Sequence, residues 1–200
     1  MYARVVMLTG VSDIEAAVDY LKETALPVVQ SQRGYKGVSA AADRSGGLLG
    51  VLSLWETAAD RDASESALAK VRQDALNNLA SDMTVETLDQ LAVHINKAPA
   101  VGCAVAVLRI SMDPSRVAEN AEYFNQEVLP RVSQLAGLRS IRQLVNPSTG
   151  EGMVSSIWDD EQSRQAGLQA SQAIRDEIAA TRGITIGERI LAEVAFLDLK

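Results

Sequence analysis

The chain repeats itself once, and this repeat constrains the fold more than any other feature of the sequence. Sliding the sequence by 103 residues superposes Tyr20 on Tyr123, Leu26-Pro27 on Leu129-Pro130, Gly34 on Gly137, Gly47 on Gly150 and Arg72 on Arg175. It also superposes Trp55 on Trp158, the two tryptophans of the protein. In all, 19 of 97 superposed positions are identical, where unrelated sequences of ordinary composition give roughly 6. The seam falls in the polar, Pro- and Gly-bearing stretch Asn96-Lys97-Ala98-Pro99-Ala100-Val101-Gly102, which has linker character. The expected units are therefore 1–97 and 98–200.

Composition narrows the class. With 200 residues, 47% of them hydrophobic and 22% charged, the chain can bury a core. Its single cysteine, Cys103, cannot form an internal disulfide, which excludes a disulfide-stapled scaffold. Cys103 is expected to be a small core residue. Nineteen basic against 26 acidic side chains leave a net charge of −7, which argues against nucleic acid as a partner. No apolar run approaches the roughly 20 residues of a membrane span. The opening Met1-Tyr2-Ala3-Arg4 runs straight into Val5-Val6-Met7-Leu8 without a basic segment and a long apolar stretch, so the expected address is cytoplasmic.

Both units read alike. Val5–Leu8 and Ala104–Ile110 are short, β-branched first strands. Ser12 with Glu15 forms a capping-box pattern, and Asp113-Pro114 opens the matching helix. Ile14, Ala17, Val18, Leu21, Ala25 and Val28 then recur at helical spacing, as do Val117, Ala121, Phe124, Val128, Val132 and Leu135. The Leu-Pro step near each helix end predicts a kink or stop. A hairpin follows, with turns at Asp43–Gly47 and Asn146–Gly150 and third strands at Leu49–Trp55 and Met153–Trp158. Second helices are expected over Ala58–Leu79 and Glu161–Thr181, and fourth strands over Leu88–Ile95 and Ile190–Leu199. The order is β-α-β-β-α-β, twice, an α+β pattern with two helices on one face of each sheet.

The third strands are apolar on both parities (Val51, Trp55; Leu52, Leu54), so both faces of each sheet require burial. Packing the two ferredoxin-like units sheet to sheet answers this. The expected architecture is a single-chain pseudo-dimeric α/β barrel with four helices outside, leaving further homodimerisation open.

A unit of this order whose third strand ends in a Trp-acid step, here Leu54-Trp55-Glu56-Thr57 and Ile157-Trp158-Asp159-Asp160, resembles the dimeric α/β-barrel superfamily. Within it, the sequence is similar to antibiotic-biosynthesis-monooxygenase-like (ABM-like) domains, once per half. The resemblance implies a ligand cavity between the sheet and the helices of each unit, and a hydrophobic or aromatic small molecule as partner. Its members include cofactor-independent monooxygenases of phenolic or quinol compounds and haem-degrading enzymes. The haem-degrading branch uses a histidine of the second helix and an asparagine of the first strand. Neither is present here, and no cofactor is expected.

The resemblance places Trp55 and Trp158 at a pocket wall, where an indole could stack on a flat substrate and donate one hydrogen bond; core anchoring is the competing reading. Ser53 and Ser156, two residues earlier on the same strand face, could bond a ligand hydroxyl or merely nearby backbone. Tyr20 and Tyr123 flank the apolar stripe of the first helices and could reach a pocket. His94 is the one histidine and the obvious near-neutral base, although a strand histidine is more often a bystander. Under the 103-residue shift its counterpart is Leu197. Arg109 interrupts an apolar strand opposite Val6 and would pair with an anion if it points inward, or reach water if it does not. Arg61, Arg72, Arg164 and Arg175 read as a solvated or salt-bridged helix face. No spacing of metal-ligand type occurs, so no metal is expected. Two functions remain: a cofactor-independent monooxygenase, or a non-catalytic ligand-binding or interaction protein.

Overall fold

The structure is a computed structural model that describes residues 1–199. The order β-α-β-β-α-β occurs twice. Strands β1 (Tyr2–Thr9), β2 (Tyr35–Asp43), β3 (Leu48–Trp55) and β4 (Asp82–Ile95) come from the first half of the chain. Strands β5 (Ala104–Ser111), β6 (Leu138–Val145), β7 (Glu151–Trp158) and β8 (Thr185–Leu199) come from the second. The strands hydrogen-bond in the order β1-β3-β2-β8-β5-β7-β6-β4 and close as an antiparallel barrel. The chain divides into two compact units, Met1–Thr87 with the segment from Ala192 onward, and Leu88–Leu191.

The fourth strands depart from expectation. Besides neighbouring β1 and β5 of their own halves in the strand order, β4 and β8 each pair with a strand of the other half. Asp89–Ile95 pairs with β6, and Glu193–Leu199 pairs with β2. Length explains this double pairing. At 14 and 15 residues, β4 and β8 are nearly twice as long as the 8- and 9-residue strands. One end of β4 therefore lies beside β1, with Ser81 N donating to Thr9 O (3.0 Å), while the other end reaches β6.

The helices differ in detail from the sequence reading. Asp13, not Ser12, caps α1 (Ile14–Tyr20), its carboxylate accepting from Ala16 N at 3.0 Å. Pro27 does not stop the helix. A π-helical turn over Leu21–Ala25 carries the chain into α2 (Leu26–Gln30), where Pro27 occupies an N-terminal position that needs no N–H donor. The second half does the same through α5 (Val117–Tyr123), a π turn at Phe124–Val128 and α6 (Leu129–Val132) with Pro130. Each second helix is interrupted by a serine. Ser64 separates α3 (Ala58–Ala63) from α4 (Glu65–Leu79), and Ser171 separates α7 (Glu161–Ala170) from α8 (Gln172–Arg182). Each serine hydroxyl donates to a carbonyl of the preceding turn, Ser64 to Arg61 O (2.6 Å) and Ser171 to Gly167 O (2.7 Å).

Each unit has its own core. In the first, Val18, Leu49, Val38 and Trp55 pack with Tyr35 and Leu68; in the second, Val145, Leu138, Phe124 and Trp158 pack with Ile174 and Ile178. Cys103 is buried and free, as a core residue should be.

The ladders also refine the internal correspondence. Ser53 and Ser156 hold equivalent positions, 103 apart, but their first-strand partners are Arg4 and Ala106, 102 apart. In the fourth strands, His94 faces Ile141 while Asp198 faces Val38, 104 apart. By ladder position Arg109 therefore corresponds to Met7 rather than Val6, and His94 to Asp198 rather than Leu197. Each change inverts the assigned face, because strand side chains alternate.

Candidate functional site

Among the described residues each unit contains an apolar cavity between its strands and helices, and the second unit also holds a larger polar cleft of about 540 Å³ whose lining includes Arg164, Arg175 and Arg189. The apolar cavity of the first unit measures about 90 Å³; its walls include Val6, Leu8, Leu49 and Val51 from the strands and Leu21, Leu68 and Leu79 from the helices. That of the second measures about 80 Å³, among Leu108, Ile110, Phe124, Ile141, Val154 and Ile174. Both lie below the roughly 300–1,000 Å³ of usual ligand pockets.

The tryptophans and serines form the same relay in both units. Trp55 and Trp158 are 0% and 2% exposed. Trp55 Nε1–H donates to Ser53 Oγ at 3.1 Å, and Ser53 Oγ–H donates to Arg4 O at 3.3 Å. Trp158 Nε1–H donates to Ser156 Oγ at 2.9 Å, and Ser156 Oγ–H donates to Ala106 O at 3.4 Å. Ser53, Ser156 and Trp158 line the cavities, whereas Trp55 lies behind its cavity's lining. Both indole N–H groups are thus engaged with serine. Burying an indole requires a partner for its N–H, and the serine two residues earlier on the same face supplies it.

Tyr20 and Tyr123 also line the cavities. Tyr20 Oη donates to Val71 O at 3.0 Å, and burial followed by Asp74 raises its pKa. Tyr123 Oη donates to Glu177 Oε1 at 2.8 Å, and Arg182 stacks over its ring, 4.4 Å from the centroid. Two candidates fall outside. Arg109 has the opposite parity to the lining residues Leu108 and Ile110 on β5 and borders neither cavity. His94 is half-buried, pairs its Nε2 with Asn96 Oδ1 at 2.7 Å, and likewise borders neither cavity.

Sequence reasoning missed the main polar feature of the first cavity. Arg4 is 2% exposed and lines it together with Arg72. Arg4 Nη1 donates to Ser64 Oγ (2.7 Å), Nη2 donates to Arg61 O (2.7 Å) and pairs with Glu65 Oε2 (3.0 Å), and the guanidinium stands 5.9 Å from the Trp55 ring centroid. Arg72 Nη2 pairs with the other oxygen of the same Glu65 carboxylate. Arg4 Nε and Arg72 Nη1 are buried without a partner. Burial lowers the Arg4 pKa, opposed by Glu65 and reinforced by the neighbouring cations Arg72 and Arg61. Of the expected solvated or salt-bridged arginine face, the ion pairs are present for Arg61 (Asp62), Arg72 (Glu65) and Arg164 (Glu161), but the face is not solvated: Arg61, Arg164 and Arg175 are each 8% exposed, and the Arg72 side chain is 12% exposed. The serine breaks explain part of this, since Arg4 docks on Ser64, and Arg175 Nη1 docks on Ser171 Oγ at 2.6 Å. No signal in a single sequence marks Arg4, because its counterpart by ladder position is Ala106 and the repeat does not preserve it.

Among the described residues no cluster of His, Cys, Asp and Glu could hold a metal ion, and no helix is long and apolar enough to cross a membrane.

No protein-family model matches the chain. It is 26% identical over 176 residues, 88% of its length and 79% of the relative's, to the uncharacterized protein Rv2557 of Mycobacterium tuberculosis. An anthrone oxidase-like protein of solved structure superposes with a TM-score of 0.69 at 12% identity, covering 99% of this chain and 93% of that one. A ferredoxin-fold protein of Listeria monocytogenes related to antibiotic biosynthesis monooxygenases superposes with a TM-score of 0.56 at 12% identity, covering 97% and 95%. At these identities the likeness concerns architecture. The chain shares the ferredoxin-like fold of these structures.

Proposed function

We propose that the protein binds a small aromatic molecule bearing an oxyanion in the cavity of its first unit, and that it is a cofactor-independent monooxygenase of a phenolic or quinol-type compound. The observation that carries this reading is the pair of unpartnered guanidinium N–H groups on Arg4 and Arg72, two of the residues that line a mostly apolar cavity. Two cations share one carboxylate there, so one positive charge lacks a direct counterion in this cluster. A phenolate oxygen supplies both the missing charge and the missing acceptors. The apolar walls exclude water and strengthen that interaction, which favours the ionised phenol. Tyr20 and Ser53 complete the polar margin of the site.

A bound phenolate is electron-rich enough to reduce dioxygen without a cofactor. For a phenol with a free para carbon, the para C–H and phenolic O–H bonds are lost and the O–O bond breaks. One oxygen atom becomes the second carbonyl of a quinone, and the other leaves as water. The four electrons come from the phenol. The chain's contribution is to hold the substrate as its oxyanion and keep water away.

The duplicated, pseudo-dimeric organisation belongs to the same proposal, supported by the 19 identities at one shift and the parallel Trp-Ser relays. The competing function is non-catalytic binding, favoured by the absence of His94 from the cavity lining. Incubation with 2,6-dimethylphenol separates them. Oxygen uptake matched by 2,6-dimethylbenzoquinone formation is the expected result; saturable binding without uptake would leave a binder, and no binding would overturn the site.

A further inference from the structure

The second cavity carries the opposite polarity. Its lining includes Asn120 and Gln143, which are 1% and 2% exposed. Asn120 Oδ1 and Gln143 Oε1 are both buried without a hydrogen-bond partner. The orientation of the Asn120 amide is fixed by its other end, since Nδ2 donates to Met112 Sδ and to Arg182 O, both at 3.5 Å. The Asn120 acceptor cannot be exchanged for a donor there without opposing those contacts. The positions 103 residues earlier are Ala17 and Ala40, both buried. Conversely, Arg4 of the first cavity is matched by ladder position to Ala106. The unpartnered buried atoms of the first cavity's lining residues are therefore donors, and those of the second cavity's lining residues are acceptors.

Buried carbonyl oxygens lacking a partner are costly, at about 1–3 kcal/mol each. A cavity retaining two of them among its lining residues is poorly suited to being empty and well suited to an occupant that donates. Charge narrows the class. Arg175 also lines this cavity, with Nη1 donating to Ser171 Oγ (2.6 Å) and Nη2 to Leu168 O (2.5 Å) and Gln172 Oε1 (2.6 Å). That guanidinium disfavours a cation, and the two carbonyl oxygens disfavour an anion. Trp158, Phe124 and the aliphatic walls favour an apolar body.

We infer that the second unit holds a separate binding site for a neutral aromatic alcohol or diol, whose hydroxyl protons are accepted by Asn120 Oδ1 and Gln143 Oε1. This site is independent of the oxyanion site of the first unit, and its ligand need not ionise or react. A site built around hydroxyl acceptance rejects the ether analogue, because the carbonyls are then left unpaired.

The test uses 1,3-benzenedimethanol and its dimethyl ether, neither of which ionises near neutral pH. In a Trp55→Phe variant, Trp158 is the sole tryptophan and reports on the second cavity alone. The diol should change Trp158 fluorescence saturably, and the ether should bind at least about tenfold more weakly. Calorimetry on the unaltered chain should give the same order of affinities without depending on the variant. Gln143→Met conserves volume and should weaken diol binding about tenfold while reducing the preference over the ether. Equal affinities for diol and ether, an unchanged diol affinity in Gln143→Met, or no saturable response to the diol would each overturn the proposal.

Discussion

Arg4 and Arg72 share a single carboxylate, that of Glu65, one guanidinium on each oxygen. Glu65 is half exposed, so water screens its side of the cluster, while both arginines extend into the cavity wall, where screening is weaker. The local excess of positive charge and unpartnered N–H groups follows from that three-residue arrangement. It gives an apolar cavity a sign.

Removing the serine of either relay should destabilise the fold. In Ser156→Ala, Trp158 Nε1–H loses its acceptor while remaining buried. The expected loss is about 1–3 kcal/mol, read as a lower urea midpoint at unchanged slope. Ser53→Ala should behave alike through Trp55. Unchanged midpoints would mean that the indoles find other acceptors.

Gly167→Ala should reverse the usual helix preference. Alanine normally stabilises a helix interior by about 1 kcal/mol relative to glycine. At this position in α7, however, a Cβ would collide with the six-membered ring of Trp158. Overpacking of this kind costs about 1–3 kcal/mol, so the variant should melt lower. A higher melting temperature would show that the ring can yield.

Acid should weaken the first unit through Asp60. Its carboxylate is held below the ordinary value of 3.8, first by the Thr57 hydroxyl (2.6 Å) and then by Arg33 (2.5 Å). A depressed folded pKa contributes stability that is fully present above the unfolded value and lost as pH falls through the folded one. Stability should therefore fall as pH drops below about 4, and Asp60→Asn should flatten that part of the profile. An identical acid limb in the variant would assign the effect elsewhere.

The order of elements was legible because strand and helix periods, turn residues and the repeat all agree across both halves. The second pairing of β4 and β8 was not, because a long strand and a short one with a following loop look alike without the partner that fixes the register. The one-residue offsets had the same origin, and they moved Arg109 to the face away from the cavity lining. Tyr20, Tyr123, Ser53, Ser156 and Trp158 were found because they repeat. Arg4, Asn120 and Gln143 were missed because they do not. Each is the polar member of a pair whose counterpart is alanine, so the feature that revealed the fold concealed the polarity of the sites.

The central claim is that the first cavity selects an oxyanion, and calorimetric titration with 2,6-dimethylphenol compared between the unaltered chain and Arg72→Met tests it most directly. Arg72 supplies one of the two unpartnered donors. Binding to the unaltered chain should generate phenolate absorption at a pH well below that needed in free solution, and Arg72→Met should weaken binding at least about tenfold and abolish that absorption. Equal affinity in the variant, or a phenol that binds only in its neutral form, would contradict the account.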